Sequence, residues 1–242
     1  MNMHLLRATL AEAIGTFILV GVGSLSIASA GLAQLPALLI VPFGFGLALL
    51  AAIVIFGNVS GGHFNPAVTL AALFDGRVDL ITSIAYWIAQ LAGAIVASLM
   101  ILLVFSDQAG VAATMTTAGV QDGPAFALEA ILTALFVAVI LTVTRKQPTW
   151  APLVISLTLI AIHFAGVPIT GASVNPARSL GPAIVAGKIA TGTTGIWVYL
   201  AGPLLGGLIG WGVYRFFTPP DDDDELEFED EVEEGLEDVA EG

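Results

Sequence analysis

The 242-residue chain contains no cysteine, so disulfides and thiolate metal sites are excluded and cysteine usage gives no clue to compartment. Charge is scarce as well. Asp, Glu, Lys and Arg make up 11% of the residues while 57% are hydrophobic, against roughly 25% and 45–50% in ordinary soluble domains. That balance fits an integral membrane protein. No nucleophile, metal-ligand cluster or phosphate-binding loop stands out, so neither an enzyme nor a cofactor is expected, and no nucleic-acid partner. Most of the acid is at one end: residues 221–242 hold 14 of the 20 acidic residues and no Lys or Arg. The remainder has six acidic and seven basic residues, so it is close to neutral. Pro219-Pro220 should stop the last helix, and 219–242 reads as a disordered acidic tail, a solvated segment or one that meets a partner.

What is present is apolar sequence in six long runs: Leu5 to Ala30, Leu35 to Phe56, Leu80 to Phe105, Ala125 to Thr144, Trp150 to Val167 and Gly195 to Phe217. About 20 residues cross a bilayer core, so each is expected to span it, the fifth near the lower limit. The first run carries Glu12 and exceeds a signal-peptide core, so it too is a span. Two shorter pieces, Pro66 to Phe74 and Pro176 to Ala186, reach only about 15 Å and can cross half a membrane.

Only four asparagines occur in the chain, and two of them open the tripeptides Asn65-Pro66-Ala67 and Asn175-Pro176-Ala177 at the start of those short pieces. Asn is a favoured N-cap and Pro suits the first helical position, so each tripeptide starts a helix. The amide NH₂ of the capping Asn keeps donors to offer to whatever passes the helix end.

The halves repeat. Glu12-Ala13-Ile14 matches Glu129-Ala130-Ile131, Ser60-Gly61 matches Thr170-Gly171, and Leu91-Ala92-Gly93 matches Leu200-Ala201-Gly202. Three full spans and one half span per copy make the second copy enter from the opposite side, an inverted repeat. The copies cover about 5–105 and 124–217 of a channel domain over 1–218. Six spans put both termini on one side with Arg7, Arg77, Arg145, Lys146 and Arg215, against Lys188 on the other, so both termini are expected in the cytoplasm.

Inversion makes the half-helix N-termini meet near the midplane, each carrying roughly +0.5 of a charge, a barrier to cations. The non-helical backbone before them, Gly61, Gly62, His63 and Phe64 in one copy and Gly171 through Ser173 and Val174 in the other, belongs at that depth only where it is buried or lines a wet path. Its carbonyls are expected to line that path. Glu12 and Glu129 are ionisable groups inside spans. One reading is a proton path; their symmetric placement favours the other, acceptors that hold the re-entrant loops. His63 reads as a loop residue rather than a metal ligand, since no second ligand is spaced to join it.

On Ala11-Glu12-Ala13-Ile14-Gly15-Thr16-Phe17, Ser60-Gly61-Gly62-His63-Phe64-Asn65-Pro66-Ala67 and Asn175-Pro176-Ala177-Arg178-Ser179, the chain resembles the aquaporin, or major intrinsic protein, family, and its water-selective prokaryotic members in particular. The resemblance implies an all-α membrane fold of six spans and two re-entrant half helices. It also implies one pore per subunit, a homotetramer, and a multi-pass place in the cell membrane. By offset from the two asparagines it assigns the selectivity filter to Phe45, His163, Ala172 and Arg178, with Arg178 and His163 donating hydrogen bonds into a narrow passage. His163, Ser179 and Ala183 suit a water channel; Ala172 and Leu200 depart from the common water-channel pattern. The implied function is a passive water channel that excludes protons and ions. The alternatives are a channel that also passes glycerol, an ion-coupled transporter, for which no coupling carboxylate lies beside the half helices, and a non-conducting membrane protein.

Overall fold

The computed structural model describes residues 3–105, 120–187 and 195–218; Lys188 and the acidic tail of 219–242 lie outside them. Every regular element among the described residues is an α-helix: α1 (Met3–Leu32), α2 (Ala37–Ser60), α3 (Pro66–Phe74), α4 (Leu80–Val104), α5 (Asp122–Lys146), α6 (Ala151–Gly166), α7 (Pro176–Val185) and α8 (Ile196–Phe217). Five of them, α1, α2, α4, α5 and α8, are long and apolar enough to cross a membrane. The span expected over Trp150 to Val167 is shorter as a helix, 16 residues or about 24 Å of rise. Turns extend it at both ends. Trp150 N–H donates to Gln147 O (3.0 Å), and past the helix Val167 and Thr170 donate to His163 O and Gly166 O (3.0 and 2.9 Å), so hydrogen-bonded backbone runs from 147 to 170.

In membrane-type packing apolar burial gives little preference between helix and lipid, and close approach depends on small residues. Gly93 of α4 lies so near α1 that a Cβ there would stand 2.1 Å from Ala13 O. Gly206 and Gly210 of α8 meet α5 in the same way, at 2.4 and 2.5 Å from Ala130 O and Ala134 O. α1 thus pairs with α4 and α5 with α8, while α2 packs on α6 across the repeat boundary. Each half helix crosses into the other repeat: α7 lies on α4 and α3 on α8. The large apolar faces left outside, such as Ile81, Ile88, Leu103 and Ile131, belong to spans and suit lipid.

Candidate functional site

The two tripeptides start α3 and α7 as the residue chemistry requires. Asn65 and Asn175 sit in extended backbone at the N-caps, with Pro next in the helix. Asn65 Oδ1 accepts from Ala67 N (2.9 Å), and Asn175 Oδ1 from Ala177 N and Arg178 N (3.0 and 3.2 Å). The amides also tie the repeats together. Asn65 Nδ2 donates to Val174 O at 2.7 Å and Asn175 Nδ2 donates to Phe64 O at 2.9 Å. An amide nitrogen has two hydrogens, so each Asn uses one to fix the meeting of the half helices and keeps one for the lumen. Both side chains line a single cavity of about 1190 Å³.

The loops leading to the caps share one unusual backbone path. Positive φ occurs at Gly61, Gly62 and Phe64 in the first and at Gly171, Ala172 and Val174 in the second. For Phe64, Ala172 and Val174 that conformation costs on the order of 1–2 kcal/mol each. Glu12 and Glu129 hold it. Glu12 accepts from Ser60 Oγ (2.7 Å), His63 N (2.9 Å), Phe64 N (2.6 Å) and Gln90 Nε2 (2.8 Å). Glu129 accepts from Thr170 Oγ1 (2.7 Å), Ser173 N (2.9 Å) and Val174 N (2.8 Å). Hydrogen bonds to a charged partner contribute about 1.5–3 kcal/mol each, so two backbone N–H bonds per carboxylate outweigh the strain of the loop they hold. Both carboxylates are fully buried with donors on every side, the arrangement of an anchor. Tyr86 OH on Ser60 O (2.9 Å) and Tyr199 OH on Thr170 O (3.0 Å) close the loop starts. Gln90 and the two tyrosines are absent from the sequence-based site; an amide among the apolar residues of α4 is the signal that could have flagged the first.

At one end of the cavity Phe45, His163 and Arg178 come together. The Phe45 ring stacks on the His163 imidazole with centroids 4.9 Å apart and planes at 26°, and the Arg178 guanidinium carbon is 4.8 Å from the Phe45 centroid. Gly23 of α1 makes room for the phenyl ring, since a Cβ there would lie 2.2 Å from it. All three side chains are at most 5% exposed. Two expectations change in detail. His163 Nδ1 faces Leu159 O at 2.9 Å, and a carbonyl only accepts, so Nδ1 carries the proton. In a neutral ring Nε2 is then an acceptor and not a donor; that atom is buried and has no hydrogen-bond partner among the described residues. Ala172 is fully buried and is not on the cavity wall; a Cβ on Gly166 would meet its Cβ at 2.9 Å.

The opposite end of the cavity opens among His4, Arg77, Asp79 and Thr149, at the ends of α1, α3, α4 and α6. Gly61, Gly62, His63, Ser173 and Val174 lie along it, while Phe64 and Gly171 are not on its wall. Arg77 braces this mouth through Asp75 Oδ2 (2.7 Å), Thr144 Oγ1 (2.6 Å) and Leu141 O (2.9 Å). Among the described residues no group of three His, Cys, Asp or Glu is placed to hold a metal ion.

A cavity framed by two capped half helices that meet tip to tip agrees with a family comparison: the model for the major intrinsic protein family matches residues 1–214. The chain belongs to the major intrinsic protein family. It is 40% identical to glycerol uptake facilitator protein-like 6 of Lactiplantibacillus plantarum, over 84% of this chain and 94% of that one. It is 38% identical to aquaporin Z of Photorhabdus laumondii, over 87% and 97%. The fold agrees with the aquaglyceroporin from Plasmodium falciparum at a TM-score of 0.80 and 26% identity, over 87% of this chain and 95% of the other. The major intrinsic protein fold, eight helices as two inverted halves, is thus the fold of this multi-pass membrane channel, and channels rather than enzymes make up the family.

Proposed function

We propose that this member of the family is a passive channel selective for water. The observation that carries the reading is the Phe45–His163–Arg178 cluster at the end of the cavity, where the Phe45 ring lies within 5 Å of both the imidazole and the guanidinium, a tight polar constriction that suits a molecule the size of water better than a three-carbon polyol. A water arriving there has a donor in Arg178 and an acceptor in His163 Nε2. At the centre it meets the remaining N–H of Asn65 and of Asn175, and along the loops it meets backbone carbonyls.

Ion exclusion follows from charge. The two half-helix N-termini add about one positive charge between them, and Arg178 adds a full one. A cation 5 Å from a unit charge at an effective dielectric of about 20 is opposed by on the order of 3 kcal/mol, before any cost of stripping its hydration. Protons are held back by the same field and by the Asn donors, which turn the water oxygen inward. In this reading the protein is a homotetramer with one pore per subunit, lies in the cell membrane, and has both termini in the cytoplasm.

Glycerol passage is the second reading, supported by the names of the Lactiplantibacillus and Plasmodium relatives. Stopped-flow light scattering of proteoliposomes separates the two. Fast shrinkage in an impermeant osmolyte with glycerol entry at the level of empty vesicles is the expected result. Glycerol entry well above that level decides for the broader channel, and water flux no faster than through lipid overturns both.

A further inference from the structure

His63 is on the cavity wall, and its ring is held from behind by a buried network in which an imidazole and an amide stand where the second repeat has a serine and a tyrosine. Its Nδ1 is 3.1 Å from Thr69 Oγ1. The Thr69 hydroxyl also lies 3.1 Å from Asn65 O, four residues back along α3, and 2.9 Å from Gln90 Nε2. The other Gln90 amide hydrogen goes to Glu12 Oε2 at 2.8 Å. At the matching places of the second repeat stand Ser173, Ser179 and Tyr199; there Ser173 Oγ meets Ser179 Oγ at 2.5 Å and Asn175 O at 2.9 Å, so the side-chain contact is kept but no imidazole takes part in it.

Proton counting decides what His63 offers. Glu12, with donors from Ser60, His63, Phe64 and Gln90, is an acceptor only, so Gln90 must present its nitrogen and not its oxygen to it. The second hydrogen of that nitrogen is then given to Thr69 Oγ1. Thr69 has one proton and two lone pairs. If the proton goes to Asn65 O, the oxygen accepts from both Gln90 and His63 Nδ1–H, and all three contacts are hydrogen bonds. If it goes to His63 Nδ1, only two are.

We infer that Thr69, held by Gln90, fixes neutral His63 as the Nδ1–H tautomer, so that Nε2 turns a bare lone pair into the cavity. Thr69 and Gln90 are then positioning residues, and His63 is a side-chain acceptor in the path. One additional hydrogen bond favours this tautomer roughly fivefold. His163, fixed by Leu159 O, offers the same kind of lone pair at the far constriction. A water therefore finds an imidazole acceptor on either side of the paired Asn donors, one from each repeat. The part of the inference that concerns flux rests on the reading of this cavity as a water path.

The test is nitrogen NMR of ¹⁵N-histidine-labelled full-length protein in lipid at pH 8, with the three imidazoles told apart by His4→Gln and His63→Gln. The expected wild-type spectrum has the His63 proton on Nδ1. Thr69→Ser keeps it there, and Thr69→Val moves it to Nε2, where pore water can accept it, with a drop in water permeability of about twofold to threefold. A wild-type His63 protonated at Nε2 overturns the inference by itself, whether or not the valine variant folds. So does a folded Thr69→Val protein whose His63 tautomer is unchanged. A wild-type protein that conducts no water refutes the channel reading and leaves the tautomer assignment standing.

Discussion

The loop ahead of α3 and the loop ahead of α7 trace the same backbone path, with positive φ at matching positions and a buried glutamate at the matching place behind each, but their side chains are nearly all different. His63 stands where the other loop has Ser173, Val68 where it has Arg178, Thr69 where it has Ser179, and Gln90 where the other third span has Tyr199. What is common to the halves is what the backbone needs at membrane depth: a cap, a proline at the first helical position, and an anion to accept loop N–H groups. What differs faces the lumen or stands one contact behind it. The single guanidinium at the constriction cannot be matched by symmetry, because a barrier at one end suffices and a second would narrow the path again.

Loss of either carboxylate is the most damaging way to break that comparison. Glu12→Gln would put an NH₂ in place of one carboxylate oxygen, facing either Ser60 Oγ and His63 N–H or Phe64 N–H and Gln90 Nε2, donors facing donors. Two or more charge-assisted hydrogen bonds at about 1.5–3 kcal/mol each are lost, and strained backbone at Phe64 is released. We expect the melting temperature in detergent to collapse and water flux to fall at least about tenfold. Glu129→Gln should do the same to a smaller extent, since three donors rather than four converge there. A Glu12→Gln protein with wild-type melting and flux means that the loops hold themselves.

The glycines that correspond between the repeats sharpen the comparison at the helix contacts. A Cβ at Gly93 meets the Ala13 carbonyl oxygen at 2.1 Å, whereas at the matching Gly202 the nearest atom is Glu129 Cβ at 3.0 Å. Backbone cannot yield as a side chain can. Gly93→Ala should therefore cost about 1–3 kcal/mol and force α1 and α4 apart, and Gly202→Ala clearly less. Equal losses of melting temperature for the two would show that the pairs α1–α4 and α5–α8 are packed alike after all.

Selectivity is where the proposed filter draws on both halves, Phe45 from α2 and His163 and Arg178 from α6 and α7. Phe45→Trp with His163→Gly removes the imidazole volume and adds an apolar wall for a carbon chain. We expect glycerol entry to rise severalfold, about 1 kcal/mol in the barrier, with protons still excluded because the Asn65 and Asn175 helix ends are untouched. Background glycerol entry in a folded variant with normal water flux removes His163 from the size limit.

The parts of this molecule that could be read in sequence are those whose chemistry is local or duplicated. The six spans follow from apolar length, although α6 closes as a helix of only 16 residues and reaches across by turns that hydropathy does not register. The two caps follow from Asn-Pro, and the anchoring role of Glu12 and Glu129 from their symmetry. The roles of Gln90, Tyr86 and Tyr199 depend on which face of a span meets a loop more than twenty residues away in sequence, and one chain has no periodicity that gives that. The direction of the His163 proton was illegible for a similar reason, since Nδ1 is settled by a carbonyl one turn earlier whose own partner a hydropathy pattern does not reveal. Ala172 was placed by its offset from Asn175, but a left-handed backbone turns its methyl toward Gly166.

The smallest expected effect lies outside the membrane, where the third spans of the two repeats begin differently. α4 has Asp79 as its N-cap, with Oδ1 accepting from Thr82 N at 2.6 Å, whereas α8 starts at Gly195 with no side-chain cap. The Thr82 backbone N–H, followed by the Thr82 side chain, holds the Asp79 carboxyl below the usual carboxylate range. A carboxyl whose folded-state pKa is depressed stabilises the fold at all pH values above its unfolded pKa, and that contribution fades as pH falls through the lower, folded value. Asp79→Ala should therefore lower the melting temperature slightly at pH 7, and the gap to wild type should close as pH falls below the ordinary Asp range. The side chain is fully exposed, so the effect is small and water flux should not change. A gap that persists unchanged into that acidic range would mean that Asp79 acts through its backbone or through packing, and the contrast between a capped α4 and an uncapped α8 would then have no energetic content.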